Sequence, residues 1–194
     1  MHINKCGGTS ISRYLNTVWP LAGTDSQANH CRLEDTLQLD KRNAFYFKFA
    51  FVRNSWDRLV SIYHYRVLTN QTQLGKRPIP FKDWAKKICE RDPFYYNSQL
   101  MFATQLHYLT DEKGDMLIDY IGRFESLQQD FDTVCDKISA SQGPFLPRQE
   151  RQGLPHINAT KHQHYTDYYD DEIRQIVAET HKEDIEYFEY EFGE

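Results

Sequence analysis

Apolar side chains recur every three to four positions in several segments, and each such segment predicts an amphipathic helix. These predicted helices cover residues 11–19, 55–68, 81–91, 98–107, 127–138 and 170–187, and the last one leaves room for a break. Two apolar runs, 45–52 and 116–124, predict strands, and Lys48 is the charged interruption in the first of them. Strands that alternate with helices favour an α/β fold with a parallel sheet.

The first predicted helix follows a loop whose residue types suit an anion. Lys5 precedes two glycines, and Thr9 and Ser10 follow them in M-H-I-N-K-C-G-G-T-S-I. Glycines allow close backbone approach, a helix N-terminus supplies N–H groups and partial positive charge, and Lys5 adds a full charge. We therefore predict an anion-binding loop at a strand–helix junction. An ordinary glycine turn capped by a hydroxyl residue is the alternative interpretation.

The order of residues in this loop differs from that of a Walker A loop. In G-x-x-x-x-G-K-[ST] the lysine follows the last glycine and the adjacent hydroxyl binds Mg²⁺. Here Lys5 precedes both glycines. The arrangement favours a transfer reaction without a metal ion over ATP hydrolysis.

A second motif begins where the strand over 45–52 ends. Arg53 follows that strand directly, and Asn54 or Ser55 is placed to cap the next helix. An arginine at the carboxyl end of a strand is well placed to bind phosphate in an open α/β sheet. The alternative is a structural pair between Arg53 and Asp57, with Ser61 in solvent.

These segments resemble those of the sulfotransferase family. H-I-N-K-C-G-G-T-S-I is similar to the family's 5′-phosphosulfate loop, and F-V-R-N-S-W-D-R-L-V-S-I-Y is similar to its 3′-phosphate motif. I-G-R-F-E-S-L at 121–127 and H-I-N-A-T-K-H-Q-H-Y-T-D-Y-Y at 156–169 fit as well. The resemblance is to Golgi-type carbohydrate sulfotransferases and their bacterial relatives. The chain has Asn4 where the family usually has proline, and Ser55 where the family often has proline.

The resemblance implies a fold, a donor and roles for individual residues. It implies a P-loop-like, three-layer α/β fold with a central parallel sheet flanked by helices. The donor would be 3′-phosphoadenosine 5′-phosphosulfate (PAPS), the product adenosine 3′,5′-bisphosphate, and no metal would be required. Lys5 would be the catalytic lysine, Arg53 and Ser61 would hold the 3′-phosphate, and Lys161 would close over the nucleotide. The residues that would wrap the 5′-phosphate are Cys6, Gly7, Gly8, Thr9 and Ser10.

Transfer to a hydroxyl also requires a general base on the acceptor side. Related carbohydrate sulfotransferases often place a histidine or glutamate in the region after the first helix. His30 is the first candidate and Glu34 the second, followed by Asp35 and His107. A surface histidine without a catalytic role is the alternative interpretation of His30.

Composition narrows the class of protein further. The chain has 194 residues and a net charge of −5, which predicts one domain over 1–194 and argues against a general nucleic-acid binder. It shows no long apolar run or signal peptide, so we expect no stable membrane insertion. Its four cysteines lack paired spacing, and His162 and His164 are not favoured as metal ligands. We expect the cytoplasm if the source is bacterial, and the Golgi lumen if the chain is a fragment of a eukaryotic enzyme.

Two other functions share part of this pattern. A P-loop nucleotide kinase or NTPase uses the same strand–loop–helix arrangement, but the Lys-Ser/Thr pair after the glycines is missing. A nucleotide-binding protein without catalysis is the third interpretation, against which Lys5 and the base candidates argue. The acceptor predicted from the resemblance is a sugar hydroxyl, or another small hydroxylated molecule.

Overall fold

The computed structural model describes residues 1–18, 31–69, 79–96, 98–142, 152–155 and 163–194. Two predicted site residues, His30 and Lys161, lie outside these described residues. The chain divides into two compact units, each built from two stretches. Unit 1 contains Met1–Val52 and His107–Asn158, and unit 2 contains Arg53–Leu106 and Ala159–Glu194. The single domain over 1–194 stays a prediction.

The predicted helices and strands are present in the predicted order with different bounds, and α2 is an additional helix that the apolar pattern does not predict. In chain order they are α1 Gly8–Val18, α2 Leu33–Leu39, β1 Phe49–Val52, α3 Ser55–Thr69, α4 Phe81–Cys89, α5 Gln99–Phe102, α6 Gln105–Leu109, β2 Tyr120–Arg123, α7 Leu127–Gln142, α8 Asp171–Thr180 and α9 Lys182–Phe188. The helix predicted over 170–187 does break, at His181, and the one over 98–107 is two short helices.

The sheet in the described residues is a parallel pair, with Phe49 opposite Tyr120 and Val52 opposite Arg123. β1 is shorter than the strand predicted over 45–52, because Phe45 ends a 3₁₀ turn and residues 46–48 have no regular structure. Lys48 lies just before β1, where its amide donates to Asp119 Oδ2 at 2.6 Å. The α/β class with a parallel sheet flanked by helices is confirmed.

Unit 1 packs two helices around this strand pair. α7 lies on β2, and Tyr14 of α1 meets Phe131 of α7 edge to face at 5.2 Å between ring centroids. Residues 1–3 form no strand, yet the Met1 nitrogen donates to the Phe49 carbonyl at 2.8 Å. The segment that leads into the glycine loop therefore lies beside β1.

Unit 2 has an aromatic core formed by α3, α4, α8 and the segments around them. Its buried members are Trp56, Leu59, Val60, Ile62, Phe81, Trp84, Ala85, Ile88, Phe102, Tyr165, Ile173 and Val177. Five of these residues are aromatic, and burial of large apolar side chains is the main favourable term in folding. None of the helices in the described parts of the chain is long and apolar enough to cross a bilayer.

Candidate active site

The loop before α1, residues 4–7, has an alternating backbone conformation. Lys5 and Gly7 have φ angles of 67° and 81°, whereas Cys6 between them is not left-handed. Turns that contain left-handed residues also occur in anion-binding nests, where backbone N–H groups bind the ligand. For Lys5 the left-handed conformation costs roughly 1–2 kcal/mol, and such strain concentrates at functional sites.

Packing explains why glycine occupies positions 7 and 8. A Cβ atom on Gly7 would lie 2.9 Å from Leu127 Cδ2 and 3.4 Å from Phe124 Cδ2. A Cβ atom on Gly8 would overlap the imidazole of His2. Crowding and the left-handed angle at Gly7 thus require small residues here, in addition to the predicted approach of a phosphate.

The side chains of the loop separate into buried and accessible groups. Asn4, Cys6 and Ser10 are buried, Lys5 is half-buried and Thr9 is exposed. The Cys6 thiol donates to the Asn4 carbonyl at 3.5 Å, which shows that it points away from solvent. The Cys6 thiol is therefore not presented to a ligand, and the Cys6 amide donates to the Ile3 carbonyl at 3.4 Å.

The start of α1 lies directly after this loop. The helix begins at Gly8, and the Ser10 amide closes back onto the Gly7 carbonyl at 3.0 Å. The first amides of a helix have no carbonyl partner within it, and they carry the positive end of the helix dipole. No acidic residue lies in the first turn of α1. The loop therefore fits a bound phosphate or sulfate group.

Phe124 connects this loop to the end of β1. Its ring faces Gly7, and its amide donates to the Val52 carbonyl at 2.7 Å. The motif at 121–127 was noted in the sequence only for its resemblance. Neither Phe124 nor Leu127 was singled out there, because an apolar side chain that packs against glycine has no chemical signature of its own.

Arg53, in unit 2, is buried and paired. Its Nε donates to Asp57 Oδ2 at 2.8 Å, so the Arg53–Asp57 pair is present. Ser61 is 5% exposed and is not a solvated serine. A guanidinium carries five N–H donors in a planar fork, so one that binds a carboxylate can also bind a phosphate.

The side chains of Gln105 and Asn54 hold the backbone at Arg53 and at the start of α3. The Gln105 side chain forms hydrogen bonds with both the backbone N–H and the carbonyl of Arg53. The backbone N–H of Gln105 in turn donates to Asp184 Oδ2 at 2.6 Å. Asn54 is the cap of α3, because its Oδ1 accepts from the Trp56 amide at 3.1 Å. Gln105 and Asp184 were missed in the sequence, where no motif connects residues so far apart along the chain.

Three of the candidate bases come together around Arg32 in unit 1. Arg32 Nη2 lies 2.9 Å from Glu34 Oε2, and its guanidinium donates to the carbonyls of His107 and Thr110 at 3.2 Å each. Burial and the charge of Arg32 lower the pKa of His107, while Asp35 acts in the opposite direction. Arg32 therefore brings the Glu34 carboxylate close to the backbone at His107 and Thr110. Among the described residues, no three His, Cys, Asp or Glu side chains form a group that could hold a metal ion.

Comparison with known proteins adds one result. Searches of curated proteins and of solved structures found no significant match. A scan against family models matched residues 1–191 to the model described as "Sulfotransferase family", which confirms the recognition made from the loop and the Arg53 motif. The match covers nearly the whole chain and both compact units. The chain belongs to the sulfotransferase family.

Proposed function

We propose that this protein transfers a sulfuryl group from PAPS to a hydroxyl group of a carbohydrate acceptor. Family membership supports sulfuryl transfer in general. The observation that carries the finer proposal is the loop of residues 4–10, where a half-buried lysine, a left-handed backbone and a helix N-terminus meet.

We assign the nucleotide's two charged ends to different parts of the chain. Backbone groups of Cys6, Gly7 and Gly8, with Thr9 and Ser10, bind the 5′-phosphate. Arg53 and Ser61 bind the 3′-phosphate, and Lys161 covers the nucleotide. The support is local: the loop fits an anion, and Arg53 is a buried guanidinium that follows directly on a parallel strand.

Lys5 supplies the electrostatic part of catalysis. In the reaction the bond between sulfur and the bridging oxygen breaks, and a bond forms between sulfur and the acceptor oxygen. Negative charge then develops on the bridging oxygen of the leaving phosphate. The Lys5 ammonium neutralises this charge, and a preorganised cation of this kind contributes on the order of 10²–10³ in rate.

The acceptor proton passes to a base near the start of α2. His30 is our first candidate and Glu34 the second, with Asp35 and His107 in the same cluster as Glu34. We expect His30→Ala to lower kcat with little change in donor affinity. If Glu34→Gln lowers kcat and His30→Ala does not, the base is Glu34. Glu112→Gln, in an exposed turn, is the matched control.

A binding experiment tests the donor. Calorimetry should show binding of adenosine 3′,5′-bisphosphate without Mg²⁺, and weaker binding of ATP. No heat with the bisphosphate from folded protein, or ATP binding that depends on Mg²⁺, would overturn the proposal in favour of a phosphoryl-transfer enzyme.

The acceptor class needs its own assay. Incubation with PAPS labelled in the sulfate group should label oligosaccharides or polysaccharides more than a small phenol. Preferential labelling of the phenol would contradict the carbohydrate assignment and leave the donor assignment intact.

A further inference from the structure

The side chain of Gln105 takes the place of a neighbouring strand for Arg53. Its Oε1 accepts from the Arg53 amide at 2.8 Å, and its Nε2 donates to the Arg53 carbonyl at 2.8 Å. Gln105 is completely buried. Both backbone groups of Arg53 are thus satisfied by one side chain at the residue that follows β1.

Gln105 is itself held by a buried carboxylate. Asp184 Oδ2 accepts from the Gln105 amide at 2.6 Å, and Oδ1 accepts from the Leu106 amide at 2.9 Å. Asp184 is completely buried, and this burial raises its pKa. The hydrogen bonds from the two backbone amides and the charge of Arg58 lower the pKa of Asp184 in part. Asp184 therefore ties α9 to the start of α6.

The geometry fixes Arg53 from two directions. Gln105 holds its backbone, and Asp57 holds its guanidinium at Nε. Buried polar groups are costly unless every partner is in place, so a network of this kind strongly limits the backbone positions open to Arg53. A residue that must aim a planar fork at a phosphate benefits directly from this restriction.

We propose that Gln105 and Asp184 are positioning residues that set the selectivity of the site for a nucleotide bearing a 3′-phosphate. They act through Arg53 and do not touch the nucleotide. This inference rests on the proposed function, in which Arg53 binds the 3′-phosphate.

The test compares the affinities of adenosine 3′,5′-bisphosphate and adenosine 5′-phosphate in one set of variants. Gln105→Met keeps the length of the side chain and loses both hydrogen bonds. We expect it to lower the ratio of the two affinities about tenfold, because a small displacement of a binding group is costly. Asp184→Asn, which keeps a carbonyl acceptor, should lower the ratio less. The KM for the donor should rise while kcat stays near that of the unmodified protein.

Tyr63→Phe is the matched control, because it removes a hydrogen bond within unit 2, from the Tyr63 hydroxyl to the Ile79 carbonyl at 2.8 Å. It should leave the affinity ratio unchanged. An equal fall in the control would show that the effect is general destabilisation, and the inference would be wrong. If Gln105→Met does not fold, Gln105→Glu and Asp184→Asn decide the question by the same ratio.

Arg53→Ala separates this inference from the proposed function. If it leaves the ratio unchanged, the assignment of Arg53 to the 3′-phosphate fails, and the inference fails with it. If it collapses the ratio while the Gln105 and Asp184 variants do not change it, only the positioning role is wrong.

Discussion

The loop of residues 4–10 and the strand-end residue Arg53 present their cations by different means. Lys5 is half-buried in a segment shaped by backbone angles, whereas Arg53 is almost fully buried in a network of side chains. The loop draws on residues close together in the sequence, together with packing from His2 and Leu127. Arg53 depends on Gln105, which lies 52 positions away.

The difference shows how each part of the site responds to change. In the loop, a single residue carries the charge, and glycines carry the shape. Around Arg53, several buried polar groups hold one another by hydrogen bonds, so removing one group leaves its partners unsatisfied. We therefore expect loop variants to lose catalysis or fail locally, and network variants to lose selectivity and stability together.

The largest expected effect comes from Lys5→Ala. We expect kcat to fall by about 10²–10³ or more, because no other cation is assigned to the bridging oxygen. The fold should persist, since Lys5 is half-buried and alanine is no more strained at this φ than lysine. Radiolabel transfer and circular dichroism measure the two quantities.

Lys113→Ala is the control for this change, because Lys113 lies in an exposed turn of the same unit. Retained turnover in Lys5→Ala would remove Lys5 from the mechanism. Loss of turnover in both variants would point to a general charge effect.

The next effect compares two glycines with left-handed angles. Gly7 has φ 81° and would crowd Leu127 if it carried a Cβ, whereas Gly114 has φ 86° and open space around its Cβ position. Gly114→Ala should cost about 1 kcal/mol of unfolding free energy, and Gly7→Ala about 1–3 kcal/mol more. Urea denaturation measures both.

Binding of adenosine 3′,5′-bisphosphate gives a second comparison of the Gly7 and Gly114 variants. Gly7→Ala should weaken binding, because the loop would have to move, and Gly114→Ala should not. A larger stability loss in Gly7→Ala with unchanged binding would show that Gly7 serves packing alone.

The smallest expected effect on sulfuryl transfer comes from His181, whose role concerns the pH dependence of stability in unit 2. Burial, with the charge of Arg58, lowers the pKa of His181 to about 3, and its Nδ1 forms no hydrogen bond with the described residues. The unfolded chain therefore binds this proton more tightly than the folded protein does. The stability that the neutral His181 contributes is fully present above the ordinary histidine pKa of 6.5 and is lost as the pH falls towards 3.

Over that interval the slope from one such group approaches about 1.4 kcal/mol per pH unit. The raised pKa of Asp184 gives the opposite slope at pH values above its unfolded value, so the measurement compares His181→Asn with the unmodified protein. Between about pH 6 and pH 4, which lies between the two pKa values of His181, the variant should lose less stability than the unmodified protein. Parallel curves for the two proteins would show that His181 does not titrate on unfolding.

The sequence allowed most of the helices and the parallel strands to be predicted, because each depends on local periodicity. The ends were less accurate: β1 begins at Phe49 and not at residue 45, since the 3₁₀ turn over 41–45 precedes it. The alternative pair of Arg53 with Asp57 was visible as an i,i+4 spacing. Gln105 and Asp184 were not visible, because their contacts form only when distant segments fold together.

The same limit applies to the acceptor side. Glu34, Asp35 and His107 were listed as separate candidates, and only the fold shows that Arg32 gathers them. His30 and Lys161 lie outside the described residues, and their roles stay predictions. Charge and residue type identify candidates, whereas their grouping depends on tertiary contacts.

Phe124 connects the loop to strand β1. Its ring rests against Gly7, and its amide is bonded to Val52, the residue before Arg53. A smaller side chain at this position would leave a void under the loop and loosen the end of the strand in the same event. The shape of the loop and the end of β1 therefore depend on one apolar residue that carries no charge and takes part in no chemistry.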